Sequence, residues 1–309
     1  METEFLVSER ATKIGGSTMF LRSGERVSIQ DLIQGIIVQS GNDACITVAE
    51  NIAGTEDAFA RQMTKRASEL GMTSSTFGNS TGWPDPKQRM SARDLVHIAN
   101  LLITEFSDYY PFFSQTSFTW DGVKQSNRNP LLSLGIGADG LKTGHTTEAG
   151  YGLVGSAVQG ERRIIFMITG LETKSDRANE AEKLTNWAFR QFVHKNLFEK
   201  NETIVSAKVW LGDKKEVDLV AENKISGLFP LGPLDNVKIE VNYSSPIEAP
   251  IKKGSRIAIL TVTTPDMESI NHHLVAANDV AKGSIVTRVL ASAQLLSSSL
   301  LDGRPWIQK

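Results

Sequence analysis

Two short runs in this chain bring together the side chains needed to act on a polar substrate. The first is Asp139-Gly140-Leu141-Lys142-Thr143-Gly144-His145-Thr146. Lys142 offers a fixed positive charge and Thr143 a hydroxyl, and Gly144 lets another backbone come close. A strand starting at Lys142 can pair with an extended peptide as an added strand. His145 follows directly and reads equally as part of such a site or as a solvated strand residue. The second run is Ser40-Gly41-Asn42, a hydroxyl and an amide two residues apart. Each run has an ordinary alternative: a basic turn entering a strand for the first, and a helix stop for the second. An attacking serine needs a base beside it. No serine in the 309 residues has a lysine three positions later.

The elements that must position these runs follow from periodicity. Ser28 opens a helix, with Asp31 three residues on as a capping box. Ile29, Leu32, Ile33, Ile36 and Ile37 give that helix a buried stripe, and it runs straight into Ser40. Asp43 starts a second helix carrying Ala44, Ile46, Ala49 and Ile52. Thr55 caps a third, with Phe59, Met63 and Leu70 on one side, and Gly71 stops it. Residues 72–90 read as loop. Ser91 and Asp94 then cap a helix with Leu95, Ile98, Ala99 and Leu102 on its apolar face. Residues 28–106 are thus a helical cluster, preceded over 2–26 by short β-like pieces such as Phe5–Val7 and Thr18–Leu21. From about 116 the pattern changes to strands at Ser117–Trp120, Tyr151–Val158 and Arg163–Thr169. Glu180–Phe192 is a last amphipathic helix, with Leu184, Trp187, Ala188 and Phe192 inward. Near residue 200 alternating runs and turn signals take over, and 200–282 reads as a small all-β domain. After it, Ile285, Val289, Ala293, Leu296 and Leu300 share one face of a helix. The fold class is α+β, with domains at 1–199 and 200–282 and a helix and tail at 283–309.

Composition excludes several classes. Hydrophobic residues make up 40% and charged residues 22%, which fits a globular chain with a sizeable core. The net charge of -2 and the lack of a clustered basic stretch give no sign of a nucleic-acid partner. Apolar runs such as Ile164–Ile168 are too short to span a bilayer. Residues 1–15 lack a basic region followed by an apolar core, so no secretory signal is read and a chain expressed as written stays in the cytoplasm. One cysteine, Cys45, excludes an internal disulfide and reads as a small packed hydrophobe. His97 and His194 are isolated, and the adjacent His272 and His273 face opposite ways on a strand. No metal site and no cofactor are expected.

The runs together resemble a known family. Ser40-Gly41-Asn42 and Lys142-Thr143-Gly144 match two of the three elements of penicillin-binding proteins and class A β-lactamases. Val38–Cys45, Leu70-Gly71-Met72, Ser91-Ala92-Arg93-Asp94, Asn127–Leu132, Asp139–Thr146 and the Glu182-Lys183-Leu184 helix with Trp187 extend the likeness over nearly the whole chain. The chain looks like a D-alanyl-D-alanine carboxypeptidase, a low-molecular-mass penicillin-binding protein of peptidase family S11. The resemblance implies a β-lactamase/transpeptidase-like first domain and a small β domain after it. It implies removal of the terminal D-Ala from peptidoglycan stem peptides through an acyl-serine that penicillins trap. Ser40 would pass a proton between the active-site lysine and the leaving amine, and Asn42 would offer its amide to the peptide. Lys142, Thr143, Gly144 and His145 would line the substrate, and Arg177 would hold its terminal carboxylate. Arg177 also reads as a solvated arginine at a helix start. The resemblance further implies a periplasmic protein, peripheral on the inner membrane through an anchor at 284–302.

The family's first element, Ser-x-x-Lys, has no counterpart in these residues, and the likeness aligns Met1 with a point past it. The expectation is therefore a first domain that is N-terminally incomplete and does not turn over alone, with weak or no β-lactam binding. A non-catalytic peptidoglycan-binding or scaffold relative is the other reading. Ser40 as a substitute nucleophile would still need a base.

Overall fold

Short polar side chains start five helices among the described residues by accepting the backbone N–H three residues ahead. Ser8, Ser28, Thr55, Ser91 and Thr173 each do so. The computed structural model describes residues 1–231, 237–264, 267–286 and 289. It divides into two units, Met1–Phe189 and Arg190–Lys309.

The first unit runs β1 (Glu4–Leu6), α1 (Glu9–Thr12), β2 (Arg26–Ser28), α2 (Ile29–Gln34), a π-helical turn (Gly35–Gln39), α3 (Asn42–Ala53), α4 (Glu56–Glu69) and α5 (Ala92–Glu105). Then come β3 (Ser117–Trp120), β4 (Val123–Ser126), β5 (Ala138–Thr146), β6 (Gly150–Gln159), β7 (Arg162–Leu171) and α6 (Lys174–Gln191). β5, β6 and β7 form one antiparallel sheet in that order, so β5 is an edge. A core of Val7, Ala11, Met19, Leu21, Val27, Leu32, Ala44 and Ile46 joins the N-terminal pieces to α2 and α3. A second core of Leu131, Leu153, Phe166 and Ala181 sets α6 against the sheet.

Three local readings change. The stripe from Ile29 does not continue as one α-helix. The π turn inserts an extra residue, so Ile37, Val38 and Gln39 are buried in succession while Ile29, Ile33 and Ile36 are only half-buried. Thr18–Leu21 forms no strand. The Asp43 carboxylate accepts from the N–H groups of Met19 and Leu21 instead. α6 starts at Lys174, two turns earlier than its apolar pattern shows, because Thr173 and Asp176 cap it. Its buried residues are Arg177, Ala181, Thr185 and Phe189; Trp187 is 52% exposed, and Phe192 lies in the next strand.

The second unit holds β8 (Phe192–Phe198), β9 (Thr203–Trp210), β10 (Glu216–Ala221), β11 (Ile225–Pro230), β12 (Lys238–Asn242), β13 (Ile247–Glu248), β14 (Arg256–Thr263) and β15 (Ile270–Ala276). Six strands pair in the order β12-β14-β15-β10-β9-β13, and β8 pairs with β11. Alternation along β10, β14 and β15 sends Leu219, Leu260 and Leu274 into one core with Phe229. β8 places the start of this unit before residue 200, because its antiparallel partner is β11. The helix expected over 284–302 falls almost wholly outside the described residues.

Candidate active site

The π turn and the residue after it present Ser40. Ser40 has φ 60 and ψ 38, a left-handed conformation that costs a non-glycine residue roughly 1–3 kcal/mol. Its backbone N–H closes on Gly35 O, which turns the chain sharply between α2 and α3. Gly35 is required here: a Cβ on it would lie 1.9 Å from the buried Met19 Sδ. The Ser40 hydroxyl meets Lys142, whose Nζ donates to Ser40 Oγ and also to Thr143 O at 3.2 Å. The two runs singled out in the sequence are therefore in direct contact.

Asn42 is buried at the start of α3. Its Nδ2 donates to Gly15 O at 3.0 Å, and its N–H to Ser17 O at 2.8 Å. Gly16, at φ +79, fits between Asn42 and Trp83; a Cβ on it would be 2.9 Å from Asn42 Nδ2. This leaves the Asn42 carbonyl and one amide hydrogen for a ligand.

β5 carries Lys142, Thr143, Gly144 and His145 along the sheet edge, paired on its other side with Val154, Leu153, Gly152 and Tyr151. Asp139 anchors the start of this strand. It accepts from Tyr110 Oη at 3.1 Å and pairs with Arg163 Nη1 at 2.8 Å. Burial foremost pushes the Tyr110 hydroxyl up to about 12. His145 stacks on Tyr151, with ring centroids 3.9 Å apart. The Arg177 guanidinium carbon sits over the same tyrosine ring, 5.6 Å from its centroid, so the stack continues toward α6.

Arg177 is 7% exposed, its Nη2 donates to Arg128 O at 3.4 Å, and its Nε has no partner. Arg128 in turn donates to Ser17 Oγ at 2.7 Å. None of Lys142, Arg128 or Arg177 takes part in an ion pair among the described residues. Burial is the main force that lowers the Lys142 pKa from 10.5 to about 8, with Arg128 and Arg177 adding to the shift and Cys45 opposing it. Burial also lowers Arg177, again helped by Arg128. A lysine near 8 holds and releases a proton close to neutral pH. Uncompensated positive charge beside it favours a ligand with a carboxylate. Arg128 and Tyr151 lie in runs that carry the family likeness, but neither takes a site role from sequence alone, because each run reads locally as turn or strand.

Residues 1–173 match the D-alanyl-D-alanine carboxypeptidase family of peptidases, S11, and residues 192–282 match the C-terminal domain of penicillin-binding protein 5. The chain is 38% identical over 277 residues to D-alanyl-D-alanine carboxypeptidase DacC of Escherichia coli (strain K12), covering 89% of this chain and 69% of that protein. The chain belongs to the D-alanyl-D-alanine carboxypeptidase family. Its fold superposes on the crystal structure of the carboxypeptidase DacD from Francisella tularensis with TM-score 0.80 and 28% identity, covering 91% of this chain and 82% of that one. Penicillin-binding protein 5 from Haemophilus influenzae gives TM-score 0.75 and 34% identity, covering 90% and 83%. The first unit therefore has the transpeptidase-like fold, and the second is the all-β domain that follows it.

The family consists of hydrolases counted among the penicillin-binding proteins, with peptidoglycan-related function. Cys45 lies on α3 close enough to feel Lys142, and burial pushes its thiol up to about 12, which keeps it protonated. Among the described residues, no group of three His, Cys, Asp or Glu side chains is placed to hold a metal ion. No helix among them is long and apolar enough to cross a membrane.

Proposed function

We propose that the groove beside Lys142 binds the D-Ala-D-Ala end of a peptidoglycan stem peptide, laid along the free edge of β5. The contact of Lys142 with Ser40 carries this reading, because it joins a lysine of lowered pKa to a hydroxyl that can relay its proton. Ser40 then passes a proton toward the leaving amine, a general acid–base task. Thr143, Gly144 and the Asn42 amide hold the peptide backbone, and His145 closes the far end of the strand. Arg177 takes the terminal carboxylate, supported by its unpartnered Nε. The reaction class is serine-type hydrolysis of the terminal D-Ala at the periplasmic wall.

The 309 residues hold no Ser-x-x-Lys, so these residues by themselves bind the peptide without forming an acyl-serine. The same feature favours a second reading, a peptidoglycan-binding or scaffold relative without turnover. Incubation with a fluorescent penicillin followed by a denaturing gel tests this: no stable labelled band is expected. A labelled band lost in Ser40→Ala would overturn it and make Ser40 the nucleophile. Calorimetry with a stem pentapeptide ending in D-Ala-D-Ala tests the groove. Equal affinity for the same peptide ending in L-Ala-L-Ala would sink the assignment.

A further inference from the structure

A basic concavity lies on the first unit, and neither Ser40, Asn42, Lys142 nor Arg177 lines it. It has a volume of about 560 Å³ and is lined by Arg61, Thr64, Thr76, Phe77, Pro86, Lys87 and Arg89. That volume is in the range of small-ligand sites, roughly 300–1,000 Å³.

The pocket is assembled from two rigid pieces. Arg61 and Thr64 are three apart on α4 and so share one helix face. The other wall is a tied loop. Thr76 and Arg89 bond to each other through both backbone pairs, at 2.8 and 2.9 Å. The Thr76 hydroxyl donates to Lys87 O at 2.6 Å, and Asp85 accepts from the Lys87 N–H at 2.7 Å. Thr76, Lys87 and Arg89 of this loop all line the pocket. The Phe77 N–H donates to Thr64 Oγ1 at 3.0 Å, which ties the loop to α4.

Asp85 lies in the same loop, where its carboxylate accepts from the Lys87 N–H and pairs with none of the pocket's cations. Arg61, Lys87 and Arg89 enter no ion pair among the described residues. The neighbouring acid Glu69 is taken by Lys65 and Arg66. Residues 58–93 carry six Lys and Arg against two acids, Glu69 and Asp85, within a chain of net charge -2. Three unpaired cations exceed the charge of one carboxylate and match a phosphate group, which carries about -1.5 to -2 at neutral pH. Arginines suit it because their planar forks meet oxyanions bidentately. Half-buried Phe77 and exposed Pro86 add flat apolar surface beside those forks, which suits the face of a sugar ring.

We propose that this pocket binds a phosphate group carried by a saccharide. The peptide groove and this site would then hold different parts of cell-envelope polymers, but the pocket does not depend on the peptide assignment. Calorimetry on the whole chain decides it, with glucosamine 6-phosphate, inorganic phosphate, glucosamine, and vesicles containing phosphatidylglycerol as probes. Glucosamine 6-phosphate is expected to bind with one site, at least tenfold tighter than inorganic phosphate, and to weaken with added salt. Arg61→Glu with Arg89→Glu should weaken it at least tenfold, whereas Lys124→Glu with Lys208→Glu, an equal charge change at two exposed strand positions that do not line the pocket, should not. Arg61→Gln with Arg89→Gln guards against misfolding: with an unchanged melting temperature it should still weaken binding severalfold. Equal binding of glucosamine and its phosphate overturns the proposal. So does equal binding of inorganic phosphate and the sugar phosphate, binding to vesicles alone, or affinity unaltered by either arginine pair.

Discussion

The Lys142 ammonium donates to the Ser40 hydroxyl across 102 residues of sequence. Two separate pieces of architecture make that contact. The π turn ends in a left-handed serine, and β5 is an edge strand whose lysine faces it. Burial makes the contact chemically useful, since it brings a lysine pKa close to neutral.

That burial also has a thermodynamic signature. The folded-state pKa of Lys142 is about 8, below the ordinary 10.5. Below pH 8 both folded and unfolded chains keep the proton, and the folded state bears the full cost of burying the charge. Between 8 and 10.5 the unfolded chain binds more protons, so this group makes stability rise with pH, by at most about 1.4 kcal/mol per unit. Lys142→Met removes that contribution. Urea melts of both proteins at pH 7, 8, 9 and 10 should show wild type gaining on the variant as pH rises. A constant difference across this range would contradict the shifted lysine.

Gly140 should not tolerate a side chain. A Cβ there would lie 2.6 Å from Tyr110 Oη and 3.3 Å from Phe113 Cβ. Tyr110 is buried, and its hydroxyl holds Asp139 at the start of β5. Gly140→Ala is expected to cost about 1–3 kcal/mol, as overpacking usually does. It should also weaken stem-peptide binding by moving Lys142. Tyr110→Phe removes the hydroxyl and should recover part of both losses in the double variant; additive losses would show that the clash lies elsewhere.

Much of this arrangement was legible in the chain itself. Ser28, Thr55 and Ser91 marked helix starts because a capping side chain acts within three residues. The Lys-Thr-Gly strand was legible from its motif, and the alternating strands of the second unit because their period is two. What escaped depends on long-range contacts. The π turn has no periodicity of its own and is fixed by Met19 packing on Gly35. The first turns of α6 are polar, so its apolar pattern began late. Arg128 and Tyr151 join the site only through α6 and the sheet, which no local pattern encodes.

Asp43 should be a main support of the site even though it touches no substrate. Its buried carboxylate accepts from Met19 N–H at 2.9 Å, Leu21 N–H at 3.1 Å and Ala44 N–H at 2.9 Å. It thereby ties residues 19–21 to the start of α3, one residue from Asn42. Asp43→Ala leaves buried amides unpaired, each costing roughly 1–3 kcal/mol. A loss of at least about 3 kcal/mol is expected from urea melts with an unchanged slope. A loss under about 1 kcal/mol would mean that water replaces the carboxylate there.

Arg177 is the residue whose role the geometry makes easiest to isolate. It is almost wholly buried, yet its Nε meets no acceptor and the arginine beside it, Arg128, repels it. Keeping a guanidinium there costs stability unless a ligand supplies the missing anion. A terminal carboxylate does so with two parallel hydrogen bonds. Arg177→Ala should therefore weaken stem peptides with a free C-terminus by on the order of tenfold to a hundredfold, about 1.5–3 kcal/mol. Peptides amidated at that end should bind the variant and wild type alike. Arg177→Lys keeps the charge but loses the fork, so it should restore only part of the preference. Fluorescence anisotropy with the paired peptides measures this directly. If Arg177→Ala weakened free and amidated peptides by the same factor, the residue would be supporting the Tyr151 stack and not the carboxylate.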